Sequence, residues 1–221
     1  FANADPLLML DLHEYSGNGY QLWTNRNRGA QIHPSIESAS RDLELFVQDE
    51  VRNAPGKDYK VTEYPQQRGR ALGHTATYRH CLAILAETQT GSNGNWDPRS
   101  VRVDVHMRFI DAAIKWFDAN VEVAKQARAD SIAWAETYRG PERYMFNKLQ
   151  IYEENINTIY VEGYELERDL PPLFKQLYKL ETTENGKFLP IRQKSRGFIP
   201  ELCDPAVRDR SLIARQRVDE A

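Results

Sequence analysis

The sequence predicts an α/β protein: a mixed β-sheet flanked by helices, followed by a mixed C-terminal extension. Three observations carry this reading. Two short apolar runs, residues 7–12 and 82–86, have the length of buried strands and end at acidic residues. Two longer stretches, 34–53 and 99–128, space their apolar residues about three to four apart, as one face of a helix does. Beyond Gly140 the composition shifts toward charge and proline.

The elements follow in order. The first strand leads into Asp11-Leu12-His13-Glu14, and Gly17-Asn18-Gly19 breaks regular structure after it. Pro34 fits a first helical turn and Pro55-Gly56 a stop; between them Ile36, Ala39, Leu43, Phe46, Val47 and Val51 form the predicted inner face. Residues 59–64 alternate enough for a strand. Residues 66–77, polar and holding Gly69 and Gly73, read as a loop. The second central strand ends at Glu87, and 91–95 form another loop. Asp97-Pro98 then opens a helix, with Asp as cap and Pro at the first position. It runs to at least Arg128 and is extendable to Tyr138, with Met107, Ile110, Ile114, Phe117, Val121 and Ala124 predicted inward. Further on, a helix is expected at 172–181 and short strands near 158–164 and 187–199.

Composition removes several functions. The chain has 221 residues, with 29 Lys and Arg against 32 Asp and Glu, a net charge of −3. That balance argues against nucleic acid as a partner, because phosphate neutralisation needs an excess of base. Arg26, Arg28, Arg68 and Arg70 read as surface groups or contacts to a substrate carboxylate. No apolar run approaches the roughly 20 residues that span a bilayer, and no basic segment followed by an apolar one opens the chain. A soluble protein with no membrane partner is expected, and its compartment stays open. Two cysteines cannot build a disulfide scaffold or a cysteine-rich zinc site. Cys81 reads as a buried thiol in an apolar run and Cys203 as a loop residue; a bridge between them stays open.

Two strand ends carry the candidate chemistry. Alternation places Asp11 and His13 on one face of the first strand. A histidine at the C-terminal end of a buried strand sits where α/β sheets place functional groups, and a neighbouring carboxylate can hold one ring nitrogen while the other takes a metal. The alternative is a structural histidine with its needs met. His13-Glu14 does not extend to the helical zinc motif H-E-x-x-H, because the fifth position is Gly17 on a strand end. Glu87 closes the second strand beside a glycine-containing loop. Partial burial there raises a carboxyl pKa and suits it to accept and return protons; an ordinary strand-end carboxylate is the plainer possibility.

Taken together, Leu10-Asp11-Leu12-His13, Ile84-Leu85-Ala86-Glu87-Thr88, the intervening helix and strand, and the long helix from 99 resemble the zinc metallocarboxypeptidases (the carboxypeptidase A-like peptidases) over residues 7–128. The resemblance implies a carboxypeptidase-like fold that is incomplete at its N-terminus. Residues 1–139 would be the C-terminal part of the catalytic domain and 140–221 an accessory extension. It implies Zn2+ as cofactor, His13 as the third zinc ligand and Glu87 as the residue that takes a proton from metal-bound water and gives one to the leaving amine. Gly73-His74-Thr75-Ala76-Thr77-Tyr78 falls where the family has its pocket loop, so His74, Thr75 and Tyr78 would line the side-chain pocket. Tyr64 would be the mobile substrate-contacting tyrosine. Turn and packing roles remain open for all four.

The sequence also departs from the family. No H-x-x-E motif precedes His13, and the arginines that would hold the substrate carboxylate have no counterpart upstream of it. His33, His74, His80 and His106 lack ligand spacing. The chain begins at Phe1, and the expectation is that the missing ligands lie upstream or come from a partner chain. The implied substrate is a peptide C-terminus. The alternatives are an N-acyl amino acid, as in the related succinylglutamate desuccinylase and aspartoacylase branch, or no reaction at all in a binding module that keeps the scaffold.

Overall fold

The computed structural model describes residues 5–15, 19–27, 32–63, 72–90, 97–137, 161–166, 169–183, 185–203 and 214–219. The elements run β1 (Leu8–Tyr15), β2 (Leu22–Arg26), α1 (Pro34–Arg52), β3 (Val61–Glu63), α2 (Leu72–Thr77), β4 (Leu82–Gln89) and α3 (Arg99–Thr137). β5 (Val161–Leu166), α4 (Pro172–Tyr178), β6 (Phe188–Pro190), α5 (Phe198–Cys203) and β7 (Ala214–Asp219) follow.

The first four strands form one mixed sheet in the order β1-β4-β2-β3. β1 lies parallel to β4, β4 antiparallel to β2, and β2 parallel to β3. β4 is central and buried along most of its length, which explains its nearly unbroken run of apolar and small residues. One face of the sheet, with Leu22, Val61, Leu82, Ile84 and Ala86, packs against α1 and α3. The other face carries Met9 and Ala83 against Ala76 of α2 and Cys81. β5, β6 and β7 make a second, antiparallel sheet in the order β6-β5-β7. Its Tyr164 and Leu189, with Ile199 of α5, belong to the same apolar cluster as the first sheet.

α1 keeps the predicted bounds. His33 caps it, its ring nitrogen accepting from the Ser35 amide, and Pro34 occupies the first turn. Ile36, Ala39, Leu43, Val47 and Val51 are buried as expected, whereas Phe46 lies on the exposed flank. α3 also spans the predicted range, with a kink at Asn120.

The inward stripe of α3 matches the expected one in part. Val105, Phe109, Ala112, Ala113, Trp116, Ala124 and Ala127 are buried. Of the expected residues, Ala124 is enclosed and Ile110 and Phe117 pack against the core, whereas Met107 is 52% exposed and Ile114 50%. α3 runs beside α1, with Lys115 bonded to Glu50 and Asp104 to Tyr59.

Three further expectations change. Residues 66–77 hold the short helix α2 rather than a loop throughout. Strand structure near 187–199 is confined to β6, after which the chain turns into α5; Cys203 lies in that helix rather than in a loop. Cys81 and Cys203 are both buried and no disulfide joins them, and burial pushes the Cys81 thiol up to about 12.

The largest correction concerns Arg26, which is buried instead of lying at the surface. β2 turns Thr24 and Arg26 toward α1, where Glu44 is almost fully enclosed. The Arg26 guanidinium donates to Glu44 Oε2 at 2.5 Å and to Glu63 Oε1 at 3.1 Å. Thr24 Oγ1 donates to Glu44 Oε1 at 2.8 Å, and Gln48 Nε2 donates to Thr24 at 2.7 Å. Arg28, Arg68 and Arg70 lie outside the described residues. Among the described residues, no helix is long and apolar enough to cross a membrane.

Removing one partner from a buried pair leaves an uncompensated charge and costs about 3–5 kcal/mol. Arg26→Ala, which leaves the enclosed Glu44 carboxylate with the Thr24 hydroxyl alone, should therefore destabilise the fold by that amount in denaturant titration, far more than Glu122→Ala on the exposed side of α3. Equal, small losses in both variants would show that the pair does not hold α1 to β2.

Candidate functional site

The parallel register of β1 and β4 brings the two strand ends together. His13 pairs with Glu87, Asp11 with Leu85 and Tyr15 with Gln89. On the other side of β4, Trp23 pairs with Glu87. In-register residues of neighbouring strands point to the same side of the sheet. His13, Glu87 and Trp23 thus form one row across three strands, on the face opposite α1 and α3.

Each member is positioned differently. β1 is the outer strand, and the His13 side chain is 56% exposed. Its Nε2 lies 2.9 Å from Asp11 Oδ1, a buried carboxylate two residues back on the same face. Asp11 accepts from Nε2–H, which fixes the tautomer and leaves the lone pair on Nδ1. Glu87 belongs to the central strand and is half-buried. It lies inside β4, which continues to Gln89, rather than just past the strand's end.

An aromatic wall stands beside this row. Tyr15 stacks on Trp23 with ring centroids 3.9 Å apart and planes 19° from parallel. Tyr20 tilts against Trp23 at 6.3 Å, and the Tyr15 hydroxyl donates to the Tyr20 carbonyl at 2.8 Å. Burial pushes the Tyr15 phenol up to about 12, with the negative charges of Asp97 and Glu87 adding to the shift. Gln89 closes the row above by accepting from the Gly19 amide at 3.3 Å. Sequence reasoning missed Tyr15, although strand alternation two residues past His13 places it on the same face. Trp23 was missed too, because nothing in Leu22-Trp23-Thr24-Asn25-Arg26 marks a strand.

The other proposed site residues fall elsewhere or outside view. Tyr64 lies outside the described residues. Residue 74 belongs to α2, but the His74 side chain lies outside the described part. Thr75 is partly buried on the same helix. Tyr78 is buried in apolar packing, its ring edge-on to Phe198 at 5.4 Å, instead of lining an open pocket.

The remaining histidines have structural surroundings. His33 caps α1. His80 is bonded through both ring nitrogens, to Ser131 and to the Lys194 carbonyl. His106 of α3 lies beneath the site near the carbonyls of Ala86 and His13, and burial pushes its pKa below the ordinary value.

A catalytic zinc takes about three protein ligands. Among the described residues, no group of three or more His, Cys, Asp and Glu side chains could hold a metal ion. His13 is one suitable donor, and Asp11 is engaged with it. The described residues do not by themselves fit a zinc site. What they do assemble is a carboxylate and an oriented imidazole side by side, with an aromatic wall next to them. The chain matches no protein-family model, no curated protein and no solved structure.

The Tyr15 environment is directly measurable. Its folded pKa lies above the ordinary value of 10, so the fold favours the neutral phenol. The stability this provides is complete below pH 10 and is lost as pH rises toward 12. Spectrophotometric titration should show Tyr15 and Tyr59 ionising late, since burial pushes the Tyr59 phenol up to about 12 as well, and Tyr15→Phe should remove one of the two late ionisations. Loss of the hydroxyl should also cost about 1 kcal/mol, through its hydrogen bond to Tyr20. An unchanged titration curve in Tyr15→Phe would rule the environment out.

Proposed function

We propose that this chain is the part of a zinc-carboxypeptidase-like hydrolase that carries the general base and one metal ligand. The observation that supports the reading is the His13–Glu87 register pair at the C-terminal ends of two parallel strands, with Asp11 fixing the imidazole. In this reading Glu87 takes a proton from the attacking water as its oxygen adds to the scissile carbonyl. It then passes that proton to the departing amine nitrogen as the C–N bond breaks. Asp11 holds His13 so that the Nδ1 lone pair points to one ligand. The described residues supply this single imidazole, and the further donors a zinc needs would come from outside them.

The proposed substrate is a C-terminal peptide bond, with the Tyr15–Trp23 wall beside Glu87 giving apolar contact. A panel of peptides and N-acyl amino acids, run on the full-length protein, separates this from an N-acyl amino acid amidohydrolase that uses the same residues.

Glu87→Gln keeps shape but cannot accept the proton. In the full-length protein it should lower kcat/KM by about 10²-fold or more while bound zinc is retained. His13→Ala should lower bound zinc, measured by metal analysis after dialysis. Full hydrolysis in Glu87→Gln sinks the catalytic assignment. Unchanged zinc content in His13→Ala sinks the ligand assignment.

A further inference from the structure

Away from the strand ends, one buried group joins the two halves of the molecule. His80 sits in the turn between α2 and β4 with φ +61°, a left-handed conformation that a non-glycine residue adopts only where its surroundings hold it. Its ring is buried and both nitrogens are used. Nε2 lies 2.7 Å from the Lys194 carbonyl and therefore carries the proton. Nδ1 lies 2.8 Å from Ser131 Oγ of α3 and accepts the hydroxyl proton. The neutral ring thus bridges α2, α3 and the chain after β6.

The stretch 191–198 is bonded in two directions. Toward its own half, the Gln193 side chain donates to the Glu181 and Pro190 carbonyls and accepts from the Glu181 amide. Ser195 donates to the carbonyls of Tyr178 and Lys179. Toward the first half, Arg196 lies over the Trp134 ring at 5.0 Å, Gly197 abuts Tyr78, Phe198 meets Tyr78 edge-on, and Lys194 is 3.8 Å from Asp5. The His80 ring adds a hydrogen bond to the Lys194 carbonyl.

We infer that His80 is an acid-sensitive clasp: its neutral ring fastens residues 191–198 to α2 and α3, and protonation releases that stretch while the first sheet stays folded. The charges around the ring all bear on this. α3 presents Arg128, the 191–198 stretch presents Lys194, and the turn itself has Arg79 and the Cys81 thiol, which burial keeps neutral. Among the described residues Asp5 is the carboxylate that acts on the ring, and it is already paired with Arg128. A proton added to Nδ1 removes the acceptor that Ser131 uses. It also creates a buried cation facing Lys194 and Arg128.

The sign follows. Burial holds the His80 pKa near 4, below its ordinary 6.5. The clasp is therefore complete above about pH 6.5, weakens as pH falls, and is fully weakened near pH 4. Between pH 7.5 and pH 5 the opening equilibrium should rise about 30-fold.

Hydrogen exchange of the full chain, corrected for intrinsic rates, reads this directly. Amides of 191–198 should lose protection by about that factor at pH 5, while β4 amides keep theirs. His80→Asn accepts the left-handed backbone without a titrating ring, so its 191–198 amides should respond to pH by less than about threefold. Should that variant fail to fold, Ser131→Ala keeps the histidine: opening should be greater at every pH, with the same pH trend. Three results would each overturn the inference. They are a His80 ring that titrates near 6.5 by NMR, β4 and 191–198 losing protection together, and a full pH response in His80→Asn.

Discussion

The layout of the first sheet depends on the buried pair between Arg26 and Glu44. A carboxylate enclosed between a helix and a sheet is tolerable only if its charge is met and its oxygens accept hydrogen bonds. Arg26 and Thr24 meet both needs from β2, and Gln48 extends the network from α1. Desolvation offsets most of the attraction in such a pair, so its net stability is modest; leaving either partner alone is what costs. That asymmetry makes the pair a positional constraint. It ties α1 to β2 at one register. β2 in turn lies antiparallel to β4 with Trp23 opposite Glu87. The wall beside the candidate base is therefore placed by a charge pair on the far side of the same strand.

Sequence patterning was most informative where apolar residues are covered by helices. The run at 82–86 is covered on both faces, and Leu7 to Leu12 leads to an outer strand whose apolar residues still meet helices. Their ends, and so His13 and Glu87, could be located without coordinates. β2 resisted that reading for the reason just given. Three of its five residues, Thr24, Asn25 and Arg26, are polar and yet buried, and the partners of Thr24 and Arg26 come from α1 and β3. α2 was obscured by Gly73 and by its short length. In α3 the 3.6-residue period was correct and the face was rotated: Ala124, Ile110 and Phe117 meet the core as expected, whereas Phe109 and Trp116 are enclosed in place of Met107 and Ile114.

The C-terminal residues were legible as elements more than as contacts. Helix at 172–178 and strand at 161–166 fall near the expected places. Nothing in the charge and proline content of that region shows that Tyr164 and Leu189 share a core with Leu22 and Phe109. That sharing depends on close approaches at single residues. A Cβ at Gly197 would lie 2.7 Å from the Tyr78 ring, so only glycine lets the chain pass there. Tyr78, read from sequence as a pocket residue, is instead the surface on which the C-terminal stretch lands.

The position of each strand also separates the two candidate site residues chemically. His13 stands on the outer strand, half open to solvent, and Asp11 anchors it from the buried side. An exposed nitrogen with its lone pair directed away from the anchor can exchange water for a ligand at little cost in desolvation. Glu87 stands on the central strand between His13 and Trp23, where neighbouring rows restrict its access to water. A carboxylate there binds and releases a proton against a fixed environment, with less reorganisation than a surface acid requires. The same register that makes the two residues neighbours thus gives them unequal exposure. Under the proposed reading, that inequality leaves the imidazole open to a ligand and holds the carboxylate in a fixed setting on the neighbouring strand.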